Sequence, residues 1–381
     1  MEPVLEQIIA RVNAAAQAGS ALRIRGAGSK DFYAQRLQGE VLDTTAYQGI
    51  IDYQPTELVV TLRAGTPLAE LESVLAQQGQ CLPFEPPHFA ISDEADRATV
   101  GGMVAAGLSG PARCSVGALR EYVLGVQIVN GRGQLLTFGG QVMKNVAGYD
   151  VSRLMVGAMG TLGLLTQVSL KVSPLPAAQA TLRFEVDQAD ALAQLHRWGG
   201  QPLPLNASSW ARASAGSGVL LVRLRGAQAA VRSACAAMTR DLPGAPLDEA
   251  LAQRHWQDCR DLRLPFFTDM AAHSDGAHLA LWRLSLPPTT AVLDLPGPAL
   301  LEWHGGLRWC WAPVASASAL RTLARSHGGH ATLFIAPRAM PQTSVARFTP
   351  LQQPLLGIHQ RLKREFDPAG VFNPGRMYED C

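Results

Sequence analysis

Apolar residues at Val4, Leu5, Ile8, Ile9 and Val12 recur at helical spacing and give way to Gly19, which predicts an opening helix with a glycine stop. Ala21–Arg25 reads as a strand and runs directly into Gly26-Ala-Gly-Ser-Lys30. Leu58–Ala64 is a second apolar strand, after which Thr66 is placed to cap a helix that begins with Pro67 and stacks Leu68, Leu71 and Leu75 on one face up to Gly79. The segment Cys81–His88 is too rich in proline for a central strand and predicts a loop. Thr99 then precedes the short helical run Val-Gly-Gly-Met-Val-Ala-Ala-Gly107. Residues Tyr122–Phe138 alternate around Asn130-Gly131, predicting a hairpin with a tight turn, and Leu164–Val172 closes the region as another strand.

After Val172 the stretch Ser-Pro-Leu-Pro-Ala-Ala predicts a stiff linker, and a second alternation of elements starts near residue 177. A strand at Leu182–Val186, an Asp187 cap and a helix from Ala189 to Trp198 are stopped by Gly199-Gly200. A second round pairs the strand Val219–Arg225 with an alanine-rich helix from Ala227 to Arg240. Strands at 279–285, 300–312 and 331–335 and a helix at 315–326 follow, with Trp282, Trp303, Trp309 and Trp311 expected in the core of this sheet. The last helix sets Leu355, Ile358, Leu362 and Phe366 against Arg361, Lys363 and Arg364, and Asp367-Pro368 ends it. The pattern as a whole predicts an α+β chain, and 381 residues exceed what one core usually supports.

Composition narrows the function. Hydrophobic residues make up 47% and charged residues 17%, which fits a core-forming globular chain with a rather apolar surface suited to partner subunits. The 33 basic and 31 acidic residues balance, without a basic stripe interleaved with aromatics, so nucleic acid is not an expected partner. Six cysteines at 81, 114, 235, 259, 310 and 381 form no C-x-x-C pair and follow no secretory signal, which predicts reduced thiols in the cytoplasm. No apolar run reaches the ~18–20 residues of a membrane span.

The chemistry is concentrated in glycines. A strand that ends in Gly26-Ala-Gly28-Ser29 exposes several backbone N–H groups in one turn, which suits either a pyrophosphate or a plain turn. The loop lacks the Walker spacing, and Asp31 stands where a dinucleotide-binding fold needs its third glycine, so ATP and Rossmann-type NAD sites are disfavoured. Gly101 and Gly102 leave the first turn of the following helix nearly bare, which predicts N–H groups open to phosphate. His88 is either a site residue or a loop histidine held by local hydrogen bonds. No His-x-His occurs, and His327-Gly-Gly-His330 lacks an acidic third ligand beside it, so no metal site is expected.

Arg25-Gly-Ala-Gly-Ser29, Thr99-Val-Gly-Gly102, Lys144-Asn-Val-Ala-Gly-Tyr-Asp150, Gly160-Thr-Leu-Gly-Leu-Leu-Thr166 and Phe366-Asp-Pro-Ala-Gly-Val-Phe-Asn-Pro-Gly-Arg376 occur in the order seen in FAD-linked oxidases of the vanillyl-alcohol oxidase type. The combination most resembles the FAD-binding small subunits of bacterial glycolate oxidases. The resemblance covers about the first 170 residues and the last 20. It implies a two-lobed FAD-binding domain over residues 1–173, with lobes of about 1–65 and 66–173. A cap domain over 177–345 and a C-terminal segment, 346–381, that packs back on the FAD domain complete the chain.

In such proteins the pyrophosphate lies on the loop Arg25, Gly26, Ala27, Gly28, Ser29 and Lys30 and on the helix start Thr99, Val100, Gly101, Gly102 and Met103, with Gly107 and Ser109 following. Gly160, Thr161, Gly163 and Leu164 hold the adenosine part, and Asn373 lies close to the flavin. Lys144 and Tyr149 stand near the ring end, either as ring contacts or as a solvated lysine and a packing tyrosine.

Relatives with covalent flavin carry a histidine in the first loop, where Ser29-Lys30 stand here, and Cys114 is poorly placed for the alternative linkage. The resemblance therefore implies non-covalent FAD. It further implies a large catalytic FAD-binding subunit and an iron–sulfur subunit as partners and a small 2-hydroxy acid as substrate. The location implied is cytoplasmic, or peripheral on the inner membrane through the complex. It singles out no catalytic residue, and leaves open whether the chain oxidises the acid itself or relays its electrons.

Overall fold

A computed structural model describes residues 2–89, 98–140, 150–212, 218–269, 279–337 and 345–379. The chain divides into two compact units, one of Met1–Ser109, Ala118–Leu175 and Pro350–Cys381, the other of Gly110–Gly117 and Pro176–Thr349. Nothing in the sequence separates Gly110–Gly117 from its flanks.

In the first unit the opening helix spans Pro3–Ala18 and ends at Gly19 in the left-handed conformation, φ 61°. It feeds β1 (Leu22–Arg25), which pairs in parallel with β2 (Glu40–Asp43). A five-stranded antiparallel sheet follows, built from β3 (Ile50–Gln54), β4 (Val59–Arg63), β6 (Val123–Val129), β7 (Leu135–Gly139) and β8 (Leu164–Lys171) in the order β3-β4-β8-β6-β7. The short β5 (Gln80–Cys81) pairs with β9 (Ser173–Pro174), so both the expected loop and the expected linker contribute to a small ladder.

The helix Leu68–Gln77 buries Leu68, Leu71 and Leu75 completely beneath this sheet. Each contributes roughly 1.5–3 kcal/mol by leaving water. Its cap differs from expectation: Pro67 occupies the N-cap position, and the Thr66 hydroxyl instead donates to Arg63 O and accepts from Gly49 N–H. The hairpin turn is also wider than Asn-Gly suggests. Val129 pairs with Leu135, and Asn130 Oδ1 holds the loop by accepting from the N–H groups of Arg132 and Gln134.

The last helix, Leu355–Phe366, packs Leu362 and Phe366 on the core while Leu355 and Ile358 stay exposed. Lys363 is not a solvated partner of its arginine neighbours. Its Nζ donates to Thr161 O, Phe372 O and Asp367 Oδ2 at 2.7–2.8 Å. The Asp367 carboxylate also accepts from the N–H groups of Val371 and Phe372, which turns the chain back along β1.

The second unit is an eight-stranded sheet with helices on it. Its strands are β10 (Ala178–Val186), β11 (Leu205–Arg212), β12 (Gly218–Gly226), β13 (Gly244–Pro246), β14 (Leu279–Ser285), β15 (Ala299–Glu302), β16 (Leu307–Pro313) and β17 (His330–Ile335). They run in the order β13-β10-β12-β11-β15-β16-β14-β17. Asp187 caps the helix Gln188–Gly199 by accepting from Asp190 N–H. Trp282, Trp303, Trp309 and Trp311 are all buried.

Sequence reading missed β11 and the helix Glu249–Arg260, and joined β15 and β16 into one strand. The run is broken by Trp303 and His304, both left-handed with φ of 53° and 55°. A bulky residue rarely adopts that conformation, so the turn is announced only by Gly305-Gly306, which follow them.

Candidate functional site

The expected motifs converge in the first unit. β1 delivers the loop 26–30 to one wall of a cleft that opens to solvent. Gly101, Gly102 and Thr99 from the helix Val100–Ala106 line another wall, and Gly160 and Gly163 from the turn before β8 a third. Asn373 and Arg376 come from the C-terminal segment.

The loop is held by its neighbours and its donors are left over. Among the described residues, the backbone N–H groups of Gly26, Ala27, Gly28 and Ser29 donate to no protein acceptor. Four amides in one turn, with Gly28 at φ 79°, form a concave anion-binding surface. A Cβ on Gly26 would collide with Thr99 Oγ1, so the loop can lie this close to the helix only as glycine.

The helix start has spent its donors. Val100 N–H donates to Thr66 O, Gly101 N–H to Ala64 O, Gly102 N–H to Thr99 Oγ1 and Met103 N–H to Thr99 O. The expectation of open N–H groups there is therefore corrected, because tertiary contacts to the end of β4 and a side-chain cap satisfy the first turn. Gly101 and Gly102 shape the cleft instead: a Cβ on Gly101 would come within 2.8 Å of Ala64 Cβ.

Asn373 builds the third corner. Its Oδ1 accepts from Ile24 N–H at 2.9 Å, its Nδ2 donates to Met159 O at 2.8 Å, and its own N–H reaches Leu22 O. It is buried with φ 45°, a left-handed position that asparagine tolerates. A Cβ on Gly160, itself at φ 71°, would meet Asn373 Nδ2 at 2.7 Å.

The cleft is cationic. Among the described residues Arg25, Lys30 and Arg376 line it against one carboxylate, Asp31. Asp31 Oδ2 accepts from Arg25 Nε at 3.2 Å and its Oδ1 from Arg376 Nη2 at 3.1 Å. Arg376 retains 8% of its surface, and its Nε and Nη1 are buried without a hydrogen-bond partner. Burial pushes its pKa below the ordinary arginine value, and nearby Arg23 acts in the same direction, while Asp31 opposes them.

The other expected residues lie elsewhere. Val100, Met103 and Leu164 are core residues, and Gly107 is the left-handed cap of the helix Val100–Ala106. Ser109 Oγ accepts from Leu119 N–H, and the Thr161 hydroxyl donates to Ala158 O. Lys144 and Tyr149 lie outside the described residues. His88 is buried 3.0 Å from Glu72 Oε2 and does not line the cleft. In the second unit, His327 Nδ1 lies 3.0 Å from Leu323 O, and His330 stands in β17 opposite Ser285. Cys114 is exposed on the short helix Arg113–Val116. Sequence reading passed over Asp31 and Arg376; only the clustering of opposite charges in folded space picks them out.

Free amides, glycines at close approach and surplus positive charge fit a group carrying a diphosphate, and the comparisons name the class. Residues 5–139 match the family of FAD binding domains. The α+β FAD-binding fold implied by the motifs is thus the fold present. The chain is also similar in fold to the solved structure of alkyldihydroxyacetonephosphate synthase, with a TM-score of 0.65 at 14% identity over 96% of this chain and 74% of that one.

Within that class, the chain is 42% identical to glycolate oxidase subunit GlcE of Escherichia coli over 98% of its own length and 97% of that protein's. It belongs to the family of that oxidase subunit. Glycolate oxidase subunit GlcD of Bacillus subtilis is 32% identical over 38% of this chain and 30% of its own length, and D-2-hydroxyglutarate dehydrogenase of Xanthomonas citri is 28% identical over 64% and 50%.

Proposed function

We propose that this chain is the smaller FAD-binding subunit of a glycolate-oxidising assembly, holding its FAD without a covalent bond in the cleft of the first unit. The observation that carries the reading is the loop Gly26–Ser29, whose four unengaged amides face a cleft rich in arginine. The first unit is then the FAD domain, with Pro350–Cys381 returning to it, and the second unit the cap. The partners are a larger catalytic FAD-binding subunit and an iron–sulfur subunit. The assembly is cytoplasmic or peripheral on the inner membrane; among the described residues no helix is long and apolar enough to cross one.

FAD supplies a two-electron acceptor for a 2-hydroxy acid that becomes a 2-oxo acid. In this chain the loop amides and Gly160, Gly163 and Asn373 bind and orient it, and the glycines at 26, 101 and 102 let backbone approach closely. Non-covalent retention is supported by Ser29 and Lys30 in the first loop and by a lining that, among the described residues, contains neither cysteine nor histidine.

A second reading, in which the chain relays electrons and leaves proton abstraction to its partner, is favoured by Asp31. Its two carboxylate oxygens accept from Arg25 and Arg376, which ties up the carboxylate that lines the cleft. Anaerobic addition of glycolate to the FAD-loaded chain separates the readings. Bleaching of the flavin spectrum supports oxidation by this subunit, and a spectrum that bleaches only when the larger subunit is added supports relay. A protein that stays colourless after FAD has been supplied overturns both.

A further inference from the structure

We infer that Arg376 is a diphosphate ligand, closing on the same anion as the Gly26–Ser29 amides from the opposite end of the sequence, with Asp31 as the residue that aims it. The inference rests on the proposed FAD site and adds to it a residue that no motif assigns.

Three observations carry it. Arg376 is more than nine-tenths buried and lines the cleft. Of its three guanidinium nitrogens, Nη2 donates to Asp31, whereas Nε and Nη1 are buried with nothing to donate to. A buried guanidinium normally fills its donors, since each unmet one keeps its desolvation cost. Nη2, held by Asp31, stands between them, so Nε–H and Nη1–H open on different edges of the guanidinium plane and can each take a separate oxygen of a diphosphate.

The local charge has room for an anion. Asp31 is shared by Arg25 and Arg376, so one carboxylate serves two guanidinium groups, and the repulsion from Arg23 remains. An added dianion at the cleft settles that imbalance. The backbone holds Arg376 in place through Gln35 N–H, which donates to Arg376 O, and through Arg376 N–H, which donates to Asn373 O. The side chain is thus presented by a fixed turn.

The test is fluorescence titration of the full-length apoprotein with FAD, alongside thermal melting with and without FAD or inorganic pyrophosphate. Arg376→Gln is expected to weaken FAD binding by about tenfold to a hundredfold, the range for a lost charge-assisted pair. Arg376→Lys, which keeps the charge and loses the two separate donor edges, is expected to fall between. Pyrophosphate should compete with FAD and raise the melting temperature in the natural protein but not in Arg376→Gln. The apoprotein of Arg376→Gln should melt no lower than the natural one, because it sheds a half-paired buried cation.

FAD binding by Arg376→Gln at the natural affinity overturns the inference. So does a loss of affinity matched by a lower melting temperature of the apoproteins of both variants, which marks a structural role. If the natural protein binds no FAD, the proposed function itself fails, an outcome distinct from either.

Discussion

Two glycine-rich segments face the same cleft, and the sequence presents both as phosphate sites. In the loop Gly26–Ser29 the amides are left unpaired, while in the turn that opens the helix Val100–Ala106 every one is consumed by Thr66, Ala64 or Thr99. Glycine permits a backbone to approach an anion, but only the surrounding fold decides whether the donors remain available. The loop follows β1, whose parallel partner β2 ends at Asp43, so no strand continues beside it. The helix start abuts the end of β4 and has acceptors within reach. One segment is built to bind, the other to shape.

The largest expected effect is on the loop. Gly26→Val drives a branched side chain into Thr99 and displaces the amides, a strain of about 1–3 kcal/mol that should weaken FAD binding by tenfold or more in fluorescence titration. If the variant binds FAD normally, the amides are not the ligands. Asn373→Ala removes two buried hydrogen bonds and strands Ile24 N–H and Met159 O, at about 1–3 kcal/mol each, so the melting temperature and FAD affinity should fall together.

Thr99→Val sharpens the contrast. It loses the cap to Gly102 at about 1 kcal/mol of stability, visible in urea melts, and should change FAD affinity by less than about threefold. An affinity loss equal to that of Gly26→Val would erase the distinction between the two segments.

Acid gives the smallest effect on the cleft, whose lining holds no histidine among the described residues. In the second unit burial holds His255 and His304 at about 4 rather than 6.5. The unfolded chain takes up these protons first as pH falls below 6.5, so the second unit should lose stability progressively from pH 6.5 to 4. FAD affinity measured above the unfolding transition should stay level over the same range.

Much of the first unit could be read from residues in order, because Leu68, Leu71 and Leu75 or the strand before Gly26 express local periodicity. The second unit yielded less. β11 buries Asn206-Ala-Ser-Ser-Trp210 in a row, which no alternation announces, and Trp303-His304 adopt a backbone their side chains disfavour. In the cleft, Gly26, Gly28 and Asn373 were legible because they sit in motifs. Arg376 closes the same C-terminal motif as Asn373, but its role and that of Asp31 were not legible, since their meaning is a pairing across 345 positions of chain. Lys363 likewise reads as one cation of a polar face until the carbonyls of Thr161 and Phe372 close around it.

The bond between Ile24 N–H and Asn373 Oδ1 spans 349 positions. During synthesis that amide has no acceptor in Asn373 until residue 373 has been added, 349 positions after β1 was made. A truncated product, or a stalled one, therefore has the loop without the corner that completes it.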